Sequence, residues 1–166
     1  MAKKFPPGFA LIALAFIFSA FLKAVPKTPP GILLSPADQI ETNPFFLKIL
    51  ASEAGISRER AKIAYLISRI RQSPYSFMRN GKSFNGSRAA THLTLKYQRR
   101  FDLIKEAVDF IEKVAGRSSR TGEDYGIQFP DGKIYPAAEV LLNELNVLEK
   151  RLQTSARASE AGTLPQ

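Results

Sequence analysis

The sequence predicts an α+β domain of four or five helices and two short β-hairpins, preceded by a hydrophobic N-terminal signal or anchor helix. Three observations carry this prediction. Apolar residues recur at three- and four-residue steps in several separate stretches, the signature of helices with one buried face. Two turn dipeptides, Asn80-Gly81 and Asp131-Gly132, each sit between short β-prone runs. An unbroken apolar run, Gly8 to Leu22, stands behind Lys3 and Lys4. There is no internal repeat.

That apolar run has signal-peptide length and is short for a membrane span. The residues available at the −3 and −1 positions, Leu22/Ala24 or Phe18/Ala20, make a poor cleavage site, so removal and retention both stay open. If retained, Lys23 can snorkel and Lys3 and Lys4 stay cytoplasmic. Residues 1–24 therefore address the chain to a bacterial cell envelope, periplasmic or held in the inner membrane by a single N-terminal segment. Residues 25–43, with Pro26, Pro29, Pro30 and Pro36, read as an extended proline-rich tether. A single domain is expected over 44–153, and a disordered polar tail over 154–166.

Within the domain, Asn43-Pro44 reads as a helix start and Gly55 as its stop. Ser57 offers the cap of a second helix reaching Gln72, in which Ile63, Leu66, Ile67 and Ile70 form an inward stripe. Arg58, Lys62, Tyr65 and Arg69 fall on the other side and are expected to face water. Tyr75–Arg79 and Lys82–Phe84 flank Asn80-Gly81 as the first hairpin, and YGIQF and KIY flank Pro130-Asp131-Gly132 as the second. Between them lie a helix over 87–98, with Ala89, Ala90, Leu93 and Tyr97 inward, and another over 105–115, with Val108, Ile111, Val114 and Ala115 inward. The last helix opens at Pro136 and carries the seam Leu141, Leu145, Leu148, Leu152.

Composition removes several classes of function. With no cysteine and one histidine there is no disulfide, no thiolate nucleophile and no structural zinc site, and no metal or cofactor is expected. The formal net charge of +9 is concentrated: residues 57–120 hold 15 basic and 5 acidic side chains. Such a field favours anionic partners, here anionic lipid, an acidic glycan or an envelope protein. Nucleic acid is not expected, because export would separate the chain from it and no reader motif is present.

From Phe77-Met78-Arg79-Asn80-Gly81 onward the chain resembles the YfeK-like family of exported bacterial proteins, a domain of unknown function. Ala90-Thr91-His92-Leu93 with Lys96 is similar to its A-x-H-L-x-x-K helix, and Phe110-Ile111 through Val114-Ala115 to its F-I-x-x-V-A helix. Ser118-Ser119-Arg120-Thr121-Gly122-Glu123-Asp124-Tyr125 is similar to its S-S-x-T-G-x-x-Y turn. The resemblance spans about Ile63 to Leu152 and implies an envelope location and a helical α+β domain, with no established activity. Where the family often has a cysteine two residues before the phenylalanine, Tyr75 stands here, so no thiol role carries over.

The candidate binding residues are Arg79, Asn80, His92, Lys96, Ser118, Ser119, Thr121 and Tyr125. Arg88, His92, Lys96 and Arg99 recur along one side of a helix, a cationic stripe that needs an anion or carboxylates opposite it, or else a solvated flank. Arg58, Lys62 and Arg69 with Arg88 and Arg99 define an expected basic surface. The hydroxyls and amides of SSRTG suit an anion nest, and Glu123 and Asp124 are expected partners for Arg79 or Arg120. An enzymatic alternative, a small hydrolase or transferase acting on cell-wall material, would use Ser118 or Ser119 as nucleophile and His92 as base. No G-x-S-x-G elbow surrounds those serines. The arrangement that distinguishes the two readings is whether His92, Arg79 and a serine share one cavity.

Overall fold

The computed structural model describes residues 28–29 and 31–161, with side chains through Ser159. The expected signal or anchor helix lies outside the described residues. Among the described residues, no helix is long and apolar enough to cross a membrane.

Helix α1 (Pro44–Ala51) begins where Asn43 accepts from the Phe45 amide, with Pro44 supplying a first-turn φ without losing a needed donor. Helix α2 (Ile56–Gln72) starts one residue before the expected Ser57 cap, behind Gly55. Strands β1 (Ser76–Arg79) and β2 (Lys82–Phe84) form the first hairpin. Both turn residues have positive φ, 48° at Asn80 and 71° at Gly81, as this tight turn requires. Helix α3 (Gly86–Gln98) is capped by Asn85 accepting from the Arg88 amide. Its first residue must be glycine: a Cβ on Gly86 would lie 2.2 Å from the Ile70 carbonyl oxygen. The start of α3 is thus pressed against the end of α2.

The expected 105–115 helix divides into a short α4 (Ala107–Phe110) and a wider π turn (Ile111–Ala115). Ala107 and Phe110 join Ile111, Val114 and Ala115 on the inward face, and Val108 is exposed, against expectation. Asp109 holds the start by accepting from the Lys105 and Glu106 amides. Strands β3 (Gly126–Gln128) and β4 (Ile134–Pro136) form the second hairpin, and α5 (Ala137–Ala161) closes the domain. The two hairpins join through β1 and β3 into one antiparallel sheet of order β2-β1-β3-β4, with Phe77 opposite Ile127.

The core is continuous from Leu34 to Leu152, and the seam of Leu141, Leu145, Leu148 and Leu152 is buried as the periodicity requires. Three expectations are corrected. The segment 34–43 is not an extended tether: Leu34 and Ile40 are fully buried, and a 3₁₀ turn (Ala37–Gln39) folds it back onto the domain. The tail is not disordered from 154, because α5 continues through Ala161. Lys62, Tyr65 and Arg69 do not face water, because α2 is the central helix and packs against α1, α3, α4 and α5.

The last correction has a chemical centre. Arg69 and Glu144 are both 0 % exposed, and Glu144 accepts from Arg69 Nε at 2.5 Å, from the Tyr65 hydroxyl at 2.8 Å and from the Leu34 amide at 3.1 Å. Arg69 Nη2 donates to the carbonyls of Ser35 and Pro36. Lys62 bridges Glu59 and Glu149 and is raised above its ordinary range, since these carboxylates outweigh its burial.

Removing one member of a buried pair leaves the other charge uncompensated. Glu144→Leu is therefore expected to lower unfolding free energy by about 3–5 kcal/mol. Arg151→Ala, which breaks the half-exposed Arg151–Glu41 pair, should change it by less than about 1 kcal/mol. Urea titration of both variants checks this, and equal midpoints would contradict the packing described.

Candidate functional site

A cavity of about 580 Å³ opens between the β1–β2 hairpin and α3. Its floor is apolar: Ile70, Phe77, Leu93, Ala115, Ala137 and Leu141 contribute. Around it stand Arg79, Lys82, Arg88, Arg120 and His92, and no carboxylate lines it. The sheet register sets this crowding, because Arg79 lies directly opposite Lys82 and cross-strand partners share a face. Helix α3 adds Arg88 and His92, one helical turn apart. Arg120 arrives from the turn after the π segment. None of these four cations is within ion-pair distance of a carboxylate among the described residues.

Arg79 Nη1 and His92 Nε2 are 3.0 Å apart. A guanidinium can only donate, so Nε2 is the acceptor and the imidazole is neutral with its proton on Nδ1. Burial first, and then the charges of Arg79, Lys96 and Arg99, hold His92 below its ordinary range. Arg88 stacks over the Phe84 ring at 5.3 Å, which places its guanidinium at the rim.

Of the candidate binding residues, Arg79, Asn80, His92 and Tyr125 line this cavity. Thr121 joins its edge by donating to Asn80 Oδ1 at 3.3 Å. Lys96 is buried and donates to the carbonyls of Val114 and Arg117 at 2.6 and 2.5 Å, with its ammonium 5.1 Å from the Tyr125 ring centre. Burial, then Arg100 and Arg79, push its pKa down to about 8, so it is mainly charged at pH 7 and caps the end of the π turn. The expected stripe of four aligned cations on α3 is thereby reduced, because one of them points into the protein.

Ser118 and Ser119 line a different cavity, of about 730 Å³, with Lys113, Arg117 and Asp124. The serines and His92 are not brought to one cavity. SSRTG is not an anion nest either: the Thr121 amide donates to Ser118 Oγ, the Gly122 amide to the Ser118 carbonyl, and the Glu123 amide to Thr121 Oγ1. These donors close the turn on itself. Asp124 pairs with Arg117 at 3.6 Å and not with Arg79 or Arg120. The expected basic surface is dispersed as well. Arg69 is buried on Glu144, Lys62 is buried between two carboxylates, Arg58 donates to the Ser52 carbonyl, and Arg99 is exposed at the end of α3. Only Arg88 of that set reaches the cavity.

Sequence reasoning missed Lys82 and Phe84 as lining residues, although their place beside Asn80-Gly81 fixes them opposite Arg79 and Phe77. No group of three or more His, Asp or Glu able to hold a metal occurs among the described residues.

The fold and site define a small α+β domain with an apolar-floored, cation-rimmed cavity between a hairpin and a helix. The chain belongs to the family of unknown function DUF5329, whose model matches residues 57–149 and so covers α2 through most of α5. It is 37% identical over 70 residues to the "Uncharacterized protein YfeK" of Salmonella typhimurium, a match covering 42% of this chain and 58% of that protein. No solved structure matches the chain.

His92 is the only histidine, so its titration can be followed without ambiguity. The ring should show unprotonated Nε2 at pH 7 by nitrogen NMR and titrate below about 6.5. The unfolded chain takes up this proton at about 6.5 and the folded chain only at lower pH. The stability held by neutral His92 is therefore full above about 6.5 and is lost as pH falls through the folded pKa. Arg79→Met removes a charge and should move the titration upward; an unchanged titration would contradict the contact.

Proposed function

We propose that the chain is a non-enzymatic binding domain of the bacterial cell envelope that captures an anionic component in the Arg79–His92 cavity. The observation that carries this is the set of four cations around one cavity without a carboxylate among its lining residues. Like charges directly opposite in a sheet destabilise it, as Arg79 and Lys82 do here, and an anion between them removes that repulsion. Guanidinium groups suit carboxylate or phosphate because they donate in pairs. Anionic lipid, an acidic glycan and an acidic segment of an envelope protein all present such groups.

Support for the address comes from Lys3, Lys4 and the apolar run Gly8 to Leu22, which would bring the domain to a membrane. The basic excess over 57–120 would draw anions toward it from solution. A hydrolytic role with Ser118 or Ser119 as nucleophile and His92 as base has no support in the arrangement of those residues, because the serines line a different cavity from His92.

Site-resolved NMR titration at low salt with inorganic phosphate and with acetate tests the reading. Signals of Arg79, Arg88 and His92 should shift first. Hydrogen bonds to charged groups contribute roughly 1.5–3 kcal/mol, so Arg79→Gln combined with Arg88→Gln should weaken binding more than about a hundredfold. Lys133→Gln combined with Lys150→Gln removes the same charge elsewhere and should weaken it only slightly. Equal losses in the two double variants would show a diffuse charge effect and end the proposal.

A further inference from the structure

We infer that the ligand is amphipathic: an acidic head group held by Arg79 and its neighbouring cations, continuous with an aliphatic chain lying over the apolar floor. This rests on the anion-binding reading above and specifies its ligand. A site for a free inorganic anion has no use for an apolar floor, since such an ion is bound by donors on all sides. Here the charged donors come from the hairpin, α3 and the turn carrying Arg120, and the apolar floor residues offer none. Phe77 and Leu93 are almost fully buried, and Leu141 completes a floor with no hydrogen-bonding side chain.

The imidazole strengthens the case. With Nε2 occupied as acceptor from Arg79, His92 leaves that guanidinium with its remaining N–H groups for an anion. The volume of about 580 Å³ falls in the range of pockets that take small organic ligands and far exceeds what a phosphate or acetate ion needs. Phe84, half-buried on the edge strand β2, meets the cavity from the side of Arg88. It therefore stands where the head group would give way to the chain.

The experiment uses hexanoate, octanoate and decanoate below their micellar concentrations, with acetate, octyl phosphate and octanol alongside, on the folded chain. Burial of each methylene should raise affinity about fourfold until the floor is filled. Octanoate should bind more tightly than acetate, and octanol should lose most of that affinity for want of the charge. Octanoate against octyl phosphate tells whether the head group is a carboxylate or a phosphate ester, both within the inference. Phe84→Ala should flatten the chain-length slope, costing octanoate and decanoate more affinity than acetate, and Arg79→Gln should weaken every acid. Nuclear Overhauser contacts between ligand methylenes and Leu93 or Phe77 in the unaltered protein give the same answer without a variant. Acetate binding as tightly as decanoate would overturn the amphipathic ligand and leave the anion site standing. Failure of every anion to bind would overturn both, and tighter binding of octanol than octanoate would overturn the role of the cations.

Discussion

The structure depends on one buried carboxylate. Glu144, on the long final helix, is fully removed from water, and a carboxylate in that position is tolerable only if its charge and lone pairs are met. Arg69 meets the charge, Tyr65 donates a hydroxyl, and the Leu34 amide donates from the start of the folded chain. Burial, reinforced by the charge of Glu144, pushes the Tyr65 hydroxyl far up, so it remains a donor across the physiological range. Arg69 then passes the connection on, through its second nitrogen, to the carbonyls of Ser35 and Pro36. Three parts far apart in sequence are thereby fixed to one point: the proline-rich segment, the central helix α2 and the closing helix α5.

Rigidity at that point is transmitted to the cavity by packing. The end of α2 is pressed against Gly86, which fixes where α3 begins and hence where Arg88 and His92 stand. Ile70 of α2 and Leu141 of α5 reach the floor of the cavity itself. On the other side, the Asn80-Gly81 turn fixes Arg79 opposite Lys82. The two walls meet in the Arg79–His92 hydrogen bond.

Features encoded by local chemistry were legible in the sequence. Asn80-Gly81 requires positive φ at both positions and reveals its hairpin, and the leucine seam of α5 reveals its buried face. The segments carrying Arg79 and His92 could be singled out, and they meet in space. What was not legible depended on distant partners. A helix with one apolar stripe is read as having one buried face, but α2 lies at the centre, so its polar side meets Glu144 and Glu149 instead of water. Nothing local to Leu34 or Ile40 reveals that they are fully buried in the core, because prolines describe a segment's stiffness and not its docking. The pairing of β1 with β3 is likewise long-range, so two hairpins could be read but not their union into one sheet. In the SSRTG turn, hydroxyls that suited a ligand serve the turn's own amides.

Hydrogen exchange at the Leu34 amide tests most directly whether the carboxylate of Glu144 organises the domain. That amide lies in a segment whose composition reads as a flexible tether, and its acceptor is a side chain 110 residues away. If the network holds as described, Leu34 exchanges only through opening of the whole domain, with protection equal to that of core amides in α2. Exchange at the rate of an unstructured peptide, with α2 still protected, would contradict the account.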